Sequence, residues 1–124
     1  MFTNLVFVAA GGALGACARF LVSWWLPVKS AGAFPWATFL VNVSGCLLIG
    51  LLWNIAYRFG FSEWSRLFLF TGLLGGFTTF SSFGLETFKL LENRELGTAV
   101  LYVFGTNIAG IAAVYAGYYT ITSH

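Results

Sequence analysis

Charge is what this sequence has least of. Only 8% of its 124 residues are charged, where a water-facing domain of this size uses about a quarter. Such a chain cannot dress an exterior for water, so its exterior faces lipid. The net charge of +2 is small and scattered, which excludes a nucleic-acid partner. The single histidine, His124, is the last residue and a poor place for a catalytic base. Cys17 and Cys46, the only cysteines, fall in apolar runs without metal-ligand spacing and read as small buried apolar residues. No nucleophile–base pair or metal cluster is spelled out, so the chain does not read as an enzyme.

What is there instead is long and apolar. Leu5 to Leu26 carries one charge, Arg19; Trp36 to Tyr57, Leu67 to Leu85 and Leu96 to Thr122 carry none. Each run can cross the ~30 Å hydrocarbon core at about 1.5 Å per residue. The first is not a cleavable signal peptide, since no basic residue precedes it and no cleavage pattern follows. Short connectors, 27–35, 58–66 and 92–95, leave nothing over for a soluble domain. The expectation is an all-α membrane protein, one four-helix unit over 1–124, with helices at approximately 3–27, 35–58, 65–92 and 95–122.

Trp24, Trp25, Trp36, Tyr57, Trp64, Tyr118 and Tyr119 cluster near the run ends, where amphipathic rings mark the headgroup level. Small residues recur four apart: Gly11 with Gly15, Gly72 with Gly76, Ala113 with Gly117. That spacing lets neighbouring backbones approach closely. Loop charge gives almost no orientation. Arg58 and Arg66 lie on the side of the termini, against Lys29, Lys89 and Arg94 on the other. Topology normally follows a clear basic excess on one side. Two against three lets either orientation insert, so a dimer of opposed copies is possible. A single short chain also encloses little interior, so a pore needs two copies.

Polar groups at membrane depth are costly and are functional or paired. The candidates are Arg19, Asn42, the Thr78–Ser82 cluster, Glu86, Tyr102, Thr106 and Asn107. Arg19 lies near the end of its run and reads equally as a side chain that snorkels to the interface or as a functional one. Asn42 stands deep in an uncharged run, with an amide that lipid cannot satisfy. It reads as helix–helix glue or as a functional donor. The run GGFTTFSSFGLET (75–87) is the least helix-like stretch in the third span. Gly75 and Gly76 weaken a helix, and Thr78 and Thr79 compete for its carbonyls. A helix broken at membrane depth frees backbone groups, which is tolerated where they bind an ion or line a cavity. If the helix resumes, Phe80 and Phe83 share a face, and Ser82 stacks on Glu86. Aromatic rings have a positive edge that can attract an anion.

Three segments carry a resemblance. GGALGACARF (11–20), TFLVNVSGCLLIG (38–50) and TGLLGGFTTFSSFGLET (71–87) resemble the signature segments of the Fluc/CrcB family of fluoride channels, in order and without insertion. The third is highly specific. The resemblance implies a bacterial inner-membrane, multi-pass subunit with a third helix broken near 75–80. It also implies an antiparallel dual-topology homodimer with two pores that exports toxic fluoride passively. Asn42 matches the family's pore asparagine, and Phe80 and Phe83 its paired pore phenylalanines. Ser81, Ser82 and Glu86 resemble the polar track beside those rings, and Tyr102 the fourth-helix pore tyrosine. Many relatives have threonine where Ser82 stands; serine keeps the hydroxyl. The backbone carbonyls of Gly75 and Thr78 correspond to a central structural sodium (Na+) site. Arg19 matches an arginine near a pore mouth, and with Thr106 and Asn107 it is given an accessory role.

Fluoride is small and strongly hydrated, so its dehydration needs dense replacement donors: hydroxyls, amide hydrogens and ring edges. A narrow row of these admits fluoride and is too tight for chloride. A small multidrug exporter of four short helices is the main rival; such exporters place a carboxylate deep in the first helix, and here that span holds Arg19 and no acid. A non-transporting adaptor subunit is the second rival, and it leaves the broken third helix without purpose.

Overall fold

The structure is a computed structural model that describes residues 1–121; His124 and Thr122, the expected end of the fourth helix, lie outside the described residues. Among the described residues every regular element is helical, and four spans are long and apolar enough to cross a membrane. The first is α1 (Phe2–Trp25) and the second α2 (Trp36–Phe59). The third, Glu63–Glu92, is assembled from α3 (Glu63–Arg66), a π-helical segment (Leu67–Leu74), α4 (Gly75–Phe77) and α5 (Phe80–Glu92). The fourth is α6 (Leu96–Tyr119).

The ends follow local chemistry. α1 stops at Trp25, short of the expected residue 27, because a residue that precedes proline is pushed out of the helical region. Leu26 accordingly sits at φ −124°, ψ 61° before Pro27. α2 runs to Phe59 and ends in Gly60, which takes the left-handed conformation (φ 64°) that glycine adopts without penalty. The third span starts at Glu63, ahead of the expected 65, because the Ser62 side chain accepts the Ser65 N–H at 3.2 Å and caps the turn.

The spans pack as two pairs. α1 lies on the first half of the third span, backbone to backbone. A Cβ at Gly11 would overlap the Phe68 carbonyl, and one at Gly15 the Leu73 carbonyl. From the other side, a Cβ at Gly72 would stand 2.8 Å from the Val8 oxygen, and one at Gly76 2.6 Å from the Gly12 oxygen. Both glycine pairs expected to bring backbones together do so. In the α2–α6 pair Gly117 meets Leu47 and Gly50 meets Val114, so the partner in that seam is Gly50 and not Ala113. Cys17 corrects an expectation. It is exposed, because at about 100° per residue it points away from the Gly15 face on which α1 packs. Cys46 is half-buried, with its Sγ 3.4 Å from where a Cβ of Gly110 would stand.

The third span breaks at Thr78–Thr79, inside the expected window. Both residues are extended (φ −80°, ψ 157° and φ −150°, ψ 121°). Gly75 and Gly76 stay helical, so the glycines are not the breakers. The adjacent β-branched threonines leave the helix, and Gly76 instead serves the contact with α1. The π-helical segment just before the break had no signal in the sequence. In it the Gly75 N–H reaches back to the Phe70 carbonyl. Such wider turns recur at functional sites in helices.

Candidate functional site

Two side chains hold the break open. Asn42 of α2 donates from Nδ2 to the Thr79 carbonyl at 3.0 Å and accepts the Thr79 N–H on Oδ1 at 2.8 Å. The Thr79 N–H, which has no helical acceptor, is thus satisfied by this amide, and the N-cap carbonyl gains a second donor. Arg19 of α1 donates from Nε to the Gly76 carbonyl at 3.2 Å, across 57 positions of sequence. It is turned inward to the break and not outward to the rim, which corrects the snorkelling alternative. The reason is the orphan carbonyl that the break creates beside α1.

Thr79 then restarts the helix. Its Oγ1 accepts the Ser82 N–H at 3.2 Å as the N-cap of α5, and lies 3.4 Å from Ser81 Oγ. This wiring decides which carbonyls are free. In a continuous helix the Thr79 amide would go to the Gly75 oxygen and the Ser82 amide to the Thr78 oxygen. Both amides are diverted, one to Asn42 and one to the Thr79 hydroxyl. Gly75 and Thr78, the pair implied as sodium ligands, are two of the four carbonyls (75–78) whose helical donors the break removes; of the other two, Gly76 takes Arg19 instead. Gly75 and Thr78 line an open groove with Asn42, Cys46, Thr79 and Phe80. Two hard oxygens at one break suit a small hard cation.

The restarted helix carries a carboxylate and a row of rings. Glu86 accepts from Thr38 Oγ1 at 2.7 Å on one oxygen and from the Tyr102 hydroxyl at 2.7 Å on the other. Each carboxyl oxygen thus has a hydroxyl partner of its own. Phe80 and Phe83 are centred 5.7 Å apart and tilted by 42°; Phe83 and Tyr102 are 5.0 Å apart. Phe34 closes the row edge-on to Tyr102 at 5.3 Å. Tyr102 is fully buried, while Phe80 is 84% exposed beside the break. A cleft lined by Val28, Pro35, Lys89 and Asn93 reaches Glu86 from one end of the molecule.

Comparison with known proteins points the same way. Residues 6–118 match the family described as CrcB-like protein, Camphor Resistance (CrcB). The chain belongs to the CrcB-like family. It is 47% identical over 115 residues to a protein of Agrobacterium fabrum named fluoride-specific ion channel FluC, covering 92% of each chain. A relative of that name from Parabacteroides distasonis is 49% identical over 107 residues (86% of this chain, 84% of the relative). One from Thermus thermophilus is 43% identical over 113 residues (91% and 89%). The chain is thus a multi-pass membrane protein of the CrcB-like family.

Within this CrcB-like chain, Asn42, Ser81, Ser82, Phe80, Phe83, Glu86 and Tyr102 gather around the break and the helix it starts. Two expected accessory residues do not join them by hydrogen bonds. Asn107 is exposed and folds its Nδ2 back on the Val103 carbonyl at 2.7 Å. Thr106 Oγ1 is buried without a hydrogen-bond partner among the described residues. Thr38 is the residue that sequence reasoning passed over. It is 6% exposed and holds Glu86. Its signal was present: Thr38 stands four positions before Asn42, on one face of α2.

Proposed function

We propose that two copies of this chain, inserted antiparallel, form a passive fluoride channel in the bacterial inner membrane that exports fluoride from the cytoplasm and relieves its toxicity. The observation that carries the reading is the ring row Phe80–Phe83–Tyr102 on a helix restarted by a clamped break, in a family whose relatives are named fluoride-specific ion channels. Dehydrated fluoride needs donors in close order. Asn42 gives Thr79 one of its two Nδ2 hydrogens, which leaves the other for an anion. Ser81 and Ser82 add hydroxyls, and the edges of Phe80 and Phe83 add weak positive charge. Thr38 and Tyr102 have another part. Their hydroxyl protons are committed to Glu86, so they hold that carboxylate still and hold the Phe83 ring against Tyr102. A potential negative inside favours anion exit by about 2.3 kcal/mol per 100 mV, so no coupling ion or ATP is needed.

The dimer is supported by what one chain leaves open. Phe80, 84% exposed, and the groove at Gly75 and Thr78 face outward from a single copy. Loop charge of two against three permits both orientations. Two carbonyls from each copy, Gly75 and Thr78, would hold one sodium ion where the breaks meet; when bound it supplies positive charge and joins the copies. The test of function is fluoride release, read by electrode, from liposomes that contain the purified protein. Release of fluoride without chloride is expected. Absence of release, with protein confirmed in the bilayer, overturns the reading. The arrangement is tested by cysteine labelling of the 59–65 loop from each side, where one-sided labelling excludes the opposed dimer.

A further inference from the structure

Next to the groove at the break, with which it shares Ile49, an apolar groove lies between the ends of α2 and α6, walled by Ile49, Gly50, Trp53, Val114, Tyr115 and Tyr118. Its floor is the glycine seam, where Gly50 meets the Val114 carbonyl and Gly117 the Leu47 carbonyl. Asn54 Nδ2 closes that floor by donating to the Tyr118 carbonyl. The rings stand outside the seam: Trp53 is 53% exposed and Tyr115 62%. From Ile49 to the end of α2 at Phe59 is about 15 Å of helix, half the ~30 Å hydrocarbon core and so one leaflet deep.

Two cations flank the mouth. The Arg66 guanidinium carbon is 5.8 Å from the centre of the Trp53 ring, and its Nη2 donates to the Ala56 carbonyl at 3.5 Å. Arg58 Nη2 donates to the Ile121 carbonyl at 3.2 Å, just past the end of α6. Each guanidinium has five N–H donors, and these bonds use one apiece. Glu63 is the acid in the same connector, so the mouth stays net positive.

We propose that this groove binds one phospholipid with an anionic headgroup, an acyl chain along Trp53 and Tyr115 and the phosphate at Arg58 and Arg66. Clustered basic residues at the membrane surface attract acidic lipids in this way. A zwitterionic headgroup would bring its own cation to the arginines. A second copy of the chain is a poorer occupant. Inverted, it presents Lys29, Lys89 and Arg94 against Glu92 and Glu95 at this membrane face, again net positive.

The experiment uses a variant with Trp24, Trp25, Trp36 and Trp64 changed to Phe, so that Trp53 alone reports. It is reconstituted with brominated phosphatidylglycerol or brominated phosphatidylcholine in otherwise identical vesicles. Half-maximal quenching should need an about fivefold lower mole fraction of the anionic lipid. Arg58→Gln with Arg66→Gln should erase that preference, and Arg58→Lys with Arg66→Lys should keep most of it. Equal quenching by both lipids means an ordinary lipid shell and overturns the proposal. No quenching by either means a second copy covers the groove and also overturns it. If the variant does not fold, native mass spectrometry of the unaltered chain from mixed vesicles decides. Retention of phosphatidylglycerol, lost in the double Gln variant, is expected; no retention, or equal retention of both lipids, overturns it.

Discussion

The two halves of the third span are built on opposite plans. From Leu67 to Phe77 the helix is held by its backbone: Gly72 and Gly76 lie against α1, and the side chains offer no polar group except Thr71. From Phe80 onward it is held by side chains. Asn42 fixes its entry, Thr79 caps it, and Thr38 and Tyr102 grip Glu86. Contact between backbones gives rigidity without chemistry, because nothing projects from it. Contact through hydroxyls, an amide and rings gives a lined surface, and its groups must be positioned by other elements. The break at Thr78–Thr79 is the seam between the plans.

If that division is right, damage to the first half is damage to folding. Gly15→Val forces a branched side chain onto the Leu73 carbonyl and Phe77 amide, and no folded protein should be recovered by size-exclusion chromatography. Gly84→Ala in the second half meets nothing within 4 Å and should fold normally, gaining up to about 1 kcal/mol of helix propensity. Wild-type recovery of Gly15→Val would dissolve the contrast.

Next in size is the clamp. Asn42→Ala takes the acceptor from the Thr79 N–H, and a buried group left unsatisfied costs about 1–3 kcal/mol. The variant should insert, lose thermal stability and stop conducting; a stable, conducting Asn42→Ala protein would make the amide dispensable. Sodium comes third. With sodium replaced by a large organic cation during preparation, fluoride conduction should fall and then recover on adding sodium, with no sodium flux. Full conduction after exhaustive removal would leave the freed carbonyls of Gly75 and Thr78 without that role. The smallest effect belongs to Tyr102→Phe, which keeps the ring and removes one of two hydroxyls from Glu86. Loss of one hydrogen bond costs about 0.5–1.5 kcal/mol of stability, visible as a lower melting temperature. Conduction should persist at a reduced rate; abolition would show that the hydroxyl itself meets the anion.

How much of this could be read from the sequence divides along the same seam. Long apolar runs with at most one charge pointed to the four spans, and glycines four apart to the faces on which backbones meet, because both signals are local and periodic; which faces meet was not written there. The polar run 75–87 located the break, although the threonines and not the glycines make it. Wiring across the chain was illegible. Arg19 to Gly76 and Thr38 to Glu86 join residues 57 and 48 positions apart, and no local pattern encodes such pairings. The π-helical turns also left no trace, since Leu67–Leu74 is as apolar as any ordinary helix.

The division of labour is tested most directly by one replacement in the ring row. Phe83→Ile keeps bulk and hydrophobicity and removes the ring that stands between Phe80 and Tyr102. Fluoride and chloride release from liposomes, read by electrode, would be compared for the unaltered chain and for Phe83→Ile, each shown by chromatography to be the same dimer. The account predicts fluoride release without chloride from the first, and from the second a rate at least about tenfold lower, equivalent to ~1.4 kcal/mol in the barrier. Fluoride release by Phe83→Ile at the unaltered rate would contradict it and return the rings to packing.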